Sequence, residues 1–159
     1  VPERQVLAWL QPLDGSLYAP EVFPVFNAYF DEGRYYGFPV FGIPGFKVGR
    51  YHHLEEVIDP DSEIKTVTGE DEAVLRSAVE RYFPKANGTT MTLKTCMFTN
   101  TPDEHFIVDL LPGNTQVAVA AGFSGHGFKF ASVIGEILAD LAITGETEHN
   151  IDLLKIDRF

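Results

Sequence analysis

Residues 122–145, GFSGHGFKFASVIGEILADLAITG, restrict the fold more than any other stretch of the chain. A turn punctuated by glycine leads out of one apolar run and into a helical pattern that is apolar nearly all round. Phe128, Phe130, Ala131, Val133, Ile134, Ile137, Leu138, Leu141 and Ala142 occupy most of its circumference, and Lys129, Ser132, Glu136 and Asp140 form a narrow polar stripe. A helix of that kind is normally buried between layers. A chain of 159 residues has little to cover it with, so further polypeptide is expected around it.

The remaining segments read mostly as strands. Residues 4–11, 24–30, 33–40 and 46–51 are rich in aromatic and apolar residues and are separated by short turns containing Gly or Pro. Connections this short predict antiparallel neighbours, because a parallel crossover needs a dozen or more residues. Residues 70–83 read as a helix, with Leu75, Ala78, Val79 and Tyr82 on one face, Thr68 as N-cap and Pro84 as terminator. The acids Glu70, Asp71 and Glu72 suit the positive end of that helix and read as a solvated start. Strands over 88–98, 105–110 and 116–121 follow. The expected class is α+β, with a mixed or antiparallel sheet and a C-terminal β-β-helix segment.

Composition narrows the function. With 45% hydrophobic and 13% aromatic residues the chain has the material for a core. A net charge of -11 disfavours nucleic acid or an anionic membrane surface as partner, since both attract basic patches. A single cysteine, Cys96, excludes an intramolecular disulfide framework and a zinc site built on several thiolates. There is no apolar run of transmembrane length and no secretory signal, and a cytoplasmic setting is expected. The chain opens with Val1 on a strand already in progress, which reads as a fragment or a processed chain.

Four places carry candidate chemistry. In GFSGHGFK the glycines allow close backbone approach, and N–H groups at a helix start attract anions. Lys129 lies in the first turn, where the helix dipole disfavours a cation, so it reads either as a partner for an anionic ligand or as a solvated lysine with its stem along apolar surface. Cys96 reads as a small buried hydrophobe or as a reactive thiol. Lys47, flanked by Phe46 and Val48, points away from them by strand alternation, to solvent or to a polar cavity. His52 and His53 are adjacent and so face opposite ways on a strand, which makes a poor metal chelate. The dinucleotide fingerprint G-x-G-x-x-G is absent.

The stretches YYGFP…GFKVG, TCMFTNTPDEHFIVD and VAVAAGFSGHGFKFASVIGEILADLA, in that order, resemble the monomeric sarcosine oxidase and N-methyltryptophan oxidase family of flavin-dependent amine oxidases. The resemblance runs from about residue 5 to the C-terminus. It implies a substrate-binding domain over residues 1–93 and a return to the FAD-binding domain over 94–159, with the N-terminal FAD-binding half, which carries the glycine fingerprint and an arginine of the carboxylate clamp, outside this sequence. It further implies FAD held covalently through Cys96, with the backbone of Gly125, His126, Gly127 and Phe128 beside the flavin. Lys47 then promotes the reaction of reduced flavin with O2, and His126 and Lys129 stand beside the substrate, Lys129 pairing with its carboxylate. Tyr36 lines the substrate cavity. His52 lies near a family active-site histidine, but one extra residue leaves Tyr51, His52 and His53 as alternatives for that place. Asn27 stands where the family commonly has a methionine.

The activity this implies is oxidation of a secondary (N-methyl) amino acid to an imine, with O2 reduced to hydrogen peroxide. Two alternatives stand beside it. One is an oxidase of larger amines such as N-methyltryptophan, pipecolate or glycated amino acids, and the other is a non-catalytic fragment or association module.

Overall fold

The computed structural model describes residues 1–62 and 66–159. Its class is α+β, as the alternation and turn spacing predict. The strands are β1 (Pro2–Leu10), β2 (Phe26–Phe30), β3 (Gly33–Phe38), β4 (Phe46–Arg50), β5 (Thr90–Thr99), β6 (Ile107–Leu111) and β7 (Asn114–Ala121); the helices are α1 (Gly69–Tyr82) and α2 (Ala131–Thr144). The chain divides into two compact units, Glu3–Met97 and a second made of Val1–Pro2 with Phe98–Phe159. The division cuts β5, whereas the resemblance puts the change of domain at 93/94. No helix among the described residues is long and apolar enough to cross a membrane.

The first unit is a five-stranded sheet in the order β2-β3-β4-β1-β5, with α1 on one face. β2 pairs antiparallel with β3, β3 with β4, and β4 with β1. Val6, Ala8 and Leu10 of β1, Tyr35 of β3, and Phe46 and Val48 of β4 pack with Leu75, Ala78 and Val79 of α1. Phe23, Phe26, Phe46 and Phe83 add a cluster of rings with centroids 4.9–6.0 Å apart. Burying one such side chain contributes about 1.5–3 kcal/mol, so this aromatic end supplies much of the unit's cohesion.

Thr68 caps α1 as the sequence predicts. Its side chain accepts from the Asp71 N–H, and the Asp71 carboxylate accepts from the Thr68 N–H in return. The reading of residues 70–72 as a solvated start needs correction at Asp71, which is fully buried. Its carboxylate takes two N–H bonds from Arg4, at 2.7 and 2.8 Å, and one from His53 Nε2 at 2.9 Å. Charge periodicity along a helix cannot reveal a carboxylate whose partners lie 67 residues earlier and 18 residues earlier in the chain.

The second unit is a β6–β7 hairpin backed by α2. Phe106 and Val108 pack against Ile134, Ile137 and Leu141. α2 begins at Ala131, after a single 3-10 turn over Phe128–Phe130, and ends in the left-handed Gly145. Its other apolar positions border an open recess of about 520 Å³ lined by Phe123, Phe128, Ala131, Ile134 and Leu138. Within its unit, then, the helix that reads as apolar all round is covered along one stripe only.

Candidate active site

The sheet of the first unit has two unlike faces. α1 covers the side of Tyr35, Phe46 and Val48. Alternation sends Asn27, Arg34, Tyr36, Phe38, Lys47 and Trp9 to the opposite, open face. Lys47 is on β4 and its register partners are Trp9 on β1 and Phe38 on β3. Its ammonium lies 5.0 Å from the centre of the Trp9 ring and 4.8 Å from that of Phe38. It is held by the negative faces of two rings, and no carboxylate among the described residues pairs with it. Orientation by ring quadrupoles leaves the positive charge of the lysine uncompensated.

Tyr36 lies next along this face. It pairs in register with Gly49, and a Cβ at Gly49 would stand 2.5 Å from the tyrosine ring, so the ring crosses β4 where no side chain obstructs it. Burial pushes the Tyr36 phenol well above its ordinary range, and a Cys96 thiolate acts in the same direction. Cys96 is an exposed free thiol, so its reading as a small buried hydrophobe gives way.

The three alternatives for the histidine place separate cleanly. The Tyr51 ring meets Tyr36 edge-on at 5.1 Å. His52, with a positive φ of 52°, turns its Nδ1 to Glu3 Oε2 at 3.0 Å. His53 is fully buried on Asp71. Tyr51 is thus the residue that stands against Tyr36. Sequence reasoning did not single out Trp9, Phe38 or Arg34 beside these. The signal was available for Arg34 and Phe38, each two residues from Tyr36 on one strand and therefore on its face.

In the second unit the glycine turn is a built feature. Gly122, Ser124 and Gly125 have φ of 65°, 45° and 76°. The Ser124 N–H donates to Thr99 O at 3.1 Å, its hydroxyl donates to Gly122 O, and Thr101 N–H donates to Ser124 Oγ. A Cβ at Gly125 would lie 2.3 Å from the Phe98 ring, and one at Gly127 would lie 2.3 Å from Phe123. The His126 N–H is committed to Phe123 O, which removes it from the free donors of the turn; those of Gly125, Gly127 and Phe128 meet no acceptor among the described residues. The His126 ring packs 5.0 Å from Phe106, with Nε2 at 3.1 Å from Glu104 O. Lys129 is exposed, in the 3-10 turn and not in α2 itself, with its ammonium 5.2 Å from the Phe130 ring. Phe128 is 96% exposed.

The two units carry different groups. One offers a thiol, an uncompensated ammonium and a wall of tyrosines. The other offers a turn with unspent N–H donors and a lysine.

Comparison with known proteins gives these features a context. The chain is 48% identical over 160 residues to monomeric sarcosine oxidase of Bacillus sp. (strain NS-129), covering 99% of this chain and 41% of that protein. It is 35% identical over 164 residues to N-methyl-L-tryptophan oxidase of Citrobacter koseri (strain ATCC BAA-895 / CDC 4225-83 / SGSC4696), covering 99% of this chain and 42% of that one. The chain thus spans about two fifths of the length of these relatives. Its fold is similar to that of fructosamine oxidase (Amadoriase II) from Aspergillus fumigatus, with a TM-score of 0.75 at 21% identity over 97% of this chain and 39% of that one. Residues 1–141 match the family described as FAD dependent oxidoreductase, and the chain belongs to that family.

Proposed function

We propose that this chain is the substrate-side portion of a flavoprotein that oxidises a secondary, N-methyl amino acid to an imine and reduces O2 to hydrogen peroxide. The observation that carries the reading is an exposed thiol, Cys96, in a sheet whose open face holds an ammonium without a carboxylate partner, Lys47. The donor set fits FAD: a free sulfur for a covalent tether at Cys96, and unspent N–H groups at Gly125, Gly127 and Phe128 for an electron-rich edge of the ring. When bound, FAD supplies the capacity to accept two electrons from a C–H bond beside nitrogen and to pass them to O2.

The residues of this chain do the rest. The Lys47 ammonium offers fixed positive charge to the anion that forms from O2. Lys129 pairs with the substrate carboxylate as a mobile point charge, and His126, anchored at Glu104 O, borders the same turn. Tyr36, backed by Tyr51, walls the substrate cavity and stays a neutral phenol, because burial disfavours its anion. The recess along α2 is where the remainder of the protein, including the N-terminal FAD-binding half, docks in the cytoplasmic enzyme.

The relatives named N-methyl-L-tryptophan oxidase and fructosamine oxidase support the second reading, that a larger amine is the substrate. The exposed Phe128 and the open recess support the third, in which the isolated piece serves association and not catalysis.

The test uses the full-length protein. Its intact mass should exceed the polypeptide mass by one FAD, and Cys96→Ser should release the flavin on acid precipitation. Lys47→Met should slow reoxidation of reduced flavin by O2 far more than reduction by amine. Equal slowing of both half-reactions would refute the role of Lys47, and complete flavin release from the unmutated protein would refute the tether.

A further inference from the structure

Arg34 opens a second anion site on the same sheet face. Its guanidinium carbon sits 4.0 Å from the centre of the Tyr51 ring and 5.4 Å from that of Tyr29. Its Nε donates to Asn27 Oδ1 at 3.0 Å. The Tyr51 contact holds the group against the ring, and the Nε bond to Asn27 limits its rotation. What remains is the terminal edge with Nη1 and Nη2, which meets no acceptor among the described residues. The nearest acids along the chain, Asp31 and Glu32, are taken by Arg81 at 2.9 and 2.8 Å.

Such an edge is a ready fork for a carboxylate, which it binds through two parallel N–H···O bonds. The fork lies two residues from Tyr36 along β3 and on the same face, and Tyr51 touches both side chains. A fixed guanidinium beside the substrate wall, without a protein counter-ion, selects for a ligand that brings its own negative charge.

We infer that Arg34 binds a second anionic group of the substrate, so that the enzyme favours an N-methyl dicarboxylic amino acid over one with an uncharged side chain. The inference rests on the proposed role of Tyr36 as a wall of the substrate cavity. Arg34 acts here as a specificity residue through binding, outside the reacting atoms.

Two measurements on the full-length holoenzyme decide it. The first compares kcat/KM for N-methyl-L-glutamate with that for sarcosine. The native enzyme should prefer N-methyl-L-glutamate, and Arg34→Gln should lower its kcat/KM by about tenfold or more, through KM, while sarcosine stays within about twofold. Arg34→Lys, which keeps the charge and loses the fork, should recover only part of the loss. The second is calorimetric titration with glutarate, a dicarboxylate that cannot be oxidised; its affinity should fall in Arg34→Gln by a similar factor. Absence of a preference in the native enzyme, equal loss for both substrates, or equal glutarate binding by native protein and Arg34→Gln would overturn the inference. If glutarate binding depends on Arg34 but no secondary amino acid is oxidised, the anion site stands and the proposed reaction fails.

Discussion

Arg4 and Asp71 form a two-pronged ion pair, 2.7 and 2.8 Å, that ties the first strand to the first turn of α1 in the interior of the sheet–helix unit. Their side chains are 2% and 0% exposed. The same carboxylate accepts from Thr68 and His53, so the arginine holds Asp71 far below the usual carboxylate range, with the two neighbouring donors assisting. Removing one member strands a buried charge, and losses of about 3–5 kcal/mol are typical of that situation. Arg4→Met and Asp71→Asn should each lower the free energy of unfolding by an amount in this range, read as a lower denaturant midpoint at unchanged slope. Arg4→Met combined with Asp71→Leu should lose less than the sum, because neither member of the buried pair is then left without the other, and Glu56, which loses its 3.6 Å contact with Arg4, is 24% exposed and reaches water. A double-mutant cycle by urea unfolding checks it, and additive losses would count against a strongly coupled pair.

His53 makes the same cluster sensitive to pH. Its Nε2–H donates to Asp71, and its buried Nδ1 has no partner among the described residues. Burial depresses its pKa, with Asp71 working against that and Arg4 and Arg50 assisting it. The unfolded chain therefore takes up a proton near pH 6.5 that folded His53 resists, and stability declines as the pH falls from about 6.5, by at most about 1.4 kcal/mol per pH unit. Above that pH the group contributes no slope. His53→Gln keeps a donor toward Asp71 and cannot titrate, so its stability curve should be flatter than the native one between pH 6.5 and 5. The Asp71 contribution, with its pKa lowered, disappears only in stronger acid and is common to both proteins. Parallel curves across that window would exclude His53 as the source.

Trp9 and Phe38 should set the position of the Lys47 amine. Each cation–ring contact of this kind contributes about 0.5–1 kcal/mol at a partly exposed site. The ring faces should also move the ε-CH2 protons of Lys47 upfield in the NMR spectrum. Trp9→Leu is expected to shift those protons downfield and to slow reoxidation of the proposed flavin several-fold, leaving its reduction unchanged; Trp9→Phe should restore most of both effects. If the ε-CH2 resonance does not move in Trp9→Leu, the rings do not hold the amine.

How far the sequence alone leads can be judged from these residues. Strand alternation identifies the face that carries Lys47, and the Thr68 cap follows from side-chain chemistry three residues wide. Both are local, and local rules reach them. Asp71 escapes because its burial depends on Arg4 and His53, which only the folded topology brings near. The choice among Tyr51, His52 and His53 escapes for another reason. β4 ends at Arg50, and the chain then leaves strand geometry, with His52 at φ 52°, so alternation no longer says which way a side chain points. The 3-10 turn at Phe128–Phe130 likewise has the composition of a helix start and is separated from α2 by backbone geometry alone.

Gly125 and Gly113 allow the glycine turn to be tested against a control. Both have positive φ, 76° and 80°. A Cβ at Gly113 would meet nothing within 4 Å, whereas one at Gly125 would lie 2.3 Å from the Phe98 ring. Gly113→Ala should therefore cost only the left-handed conformation, about 1–2 kcal/mol. Gly125→Ala should cost that and also a steric displacement of Phe98 worth about 1–3 kcal/mol. Phe98 is 8% exposed and has little room to move within its unit. Phe98→Leu in the Gly125→Ala background should return the steric part and leave the conformational part. Equal losses for the two single alanine variants in thermal unfolding would mean that the turn requires glycine for its dihedral alone, and that the close approach of Phe98 places no constraint on it.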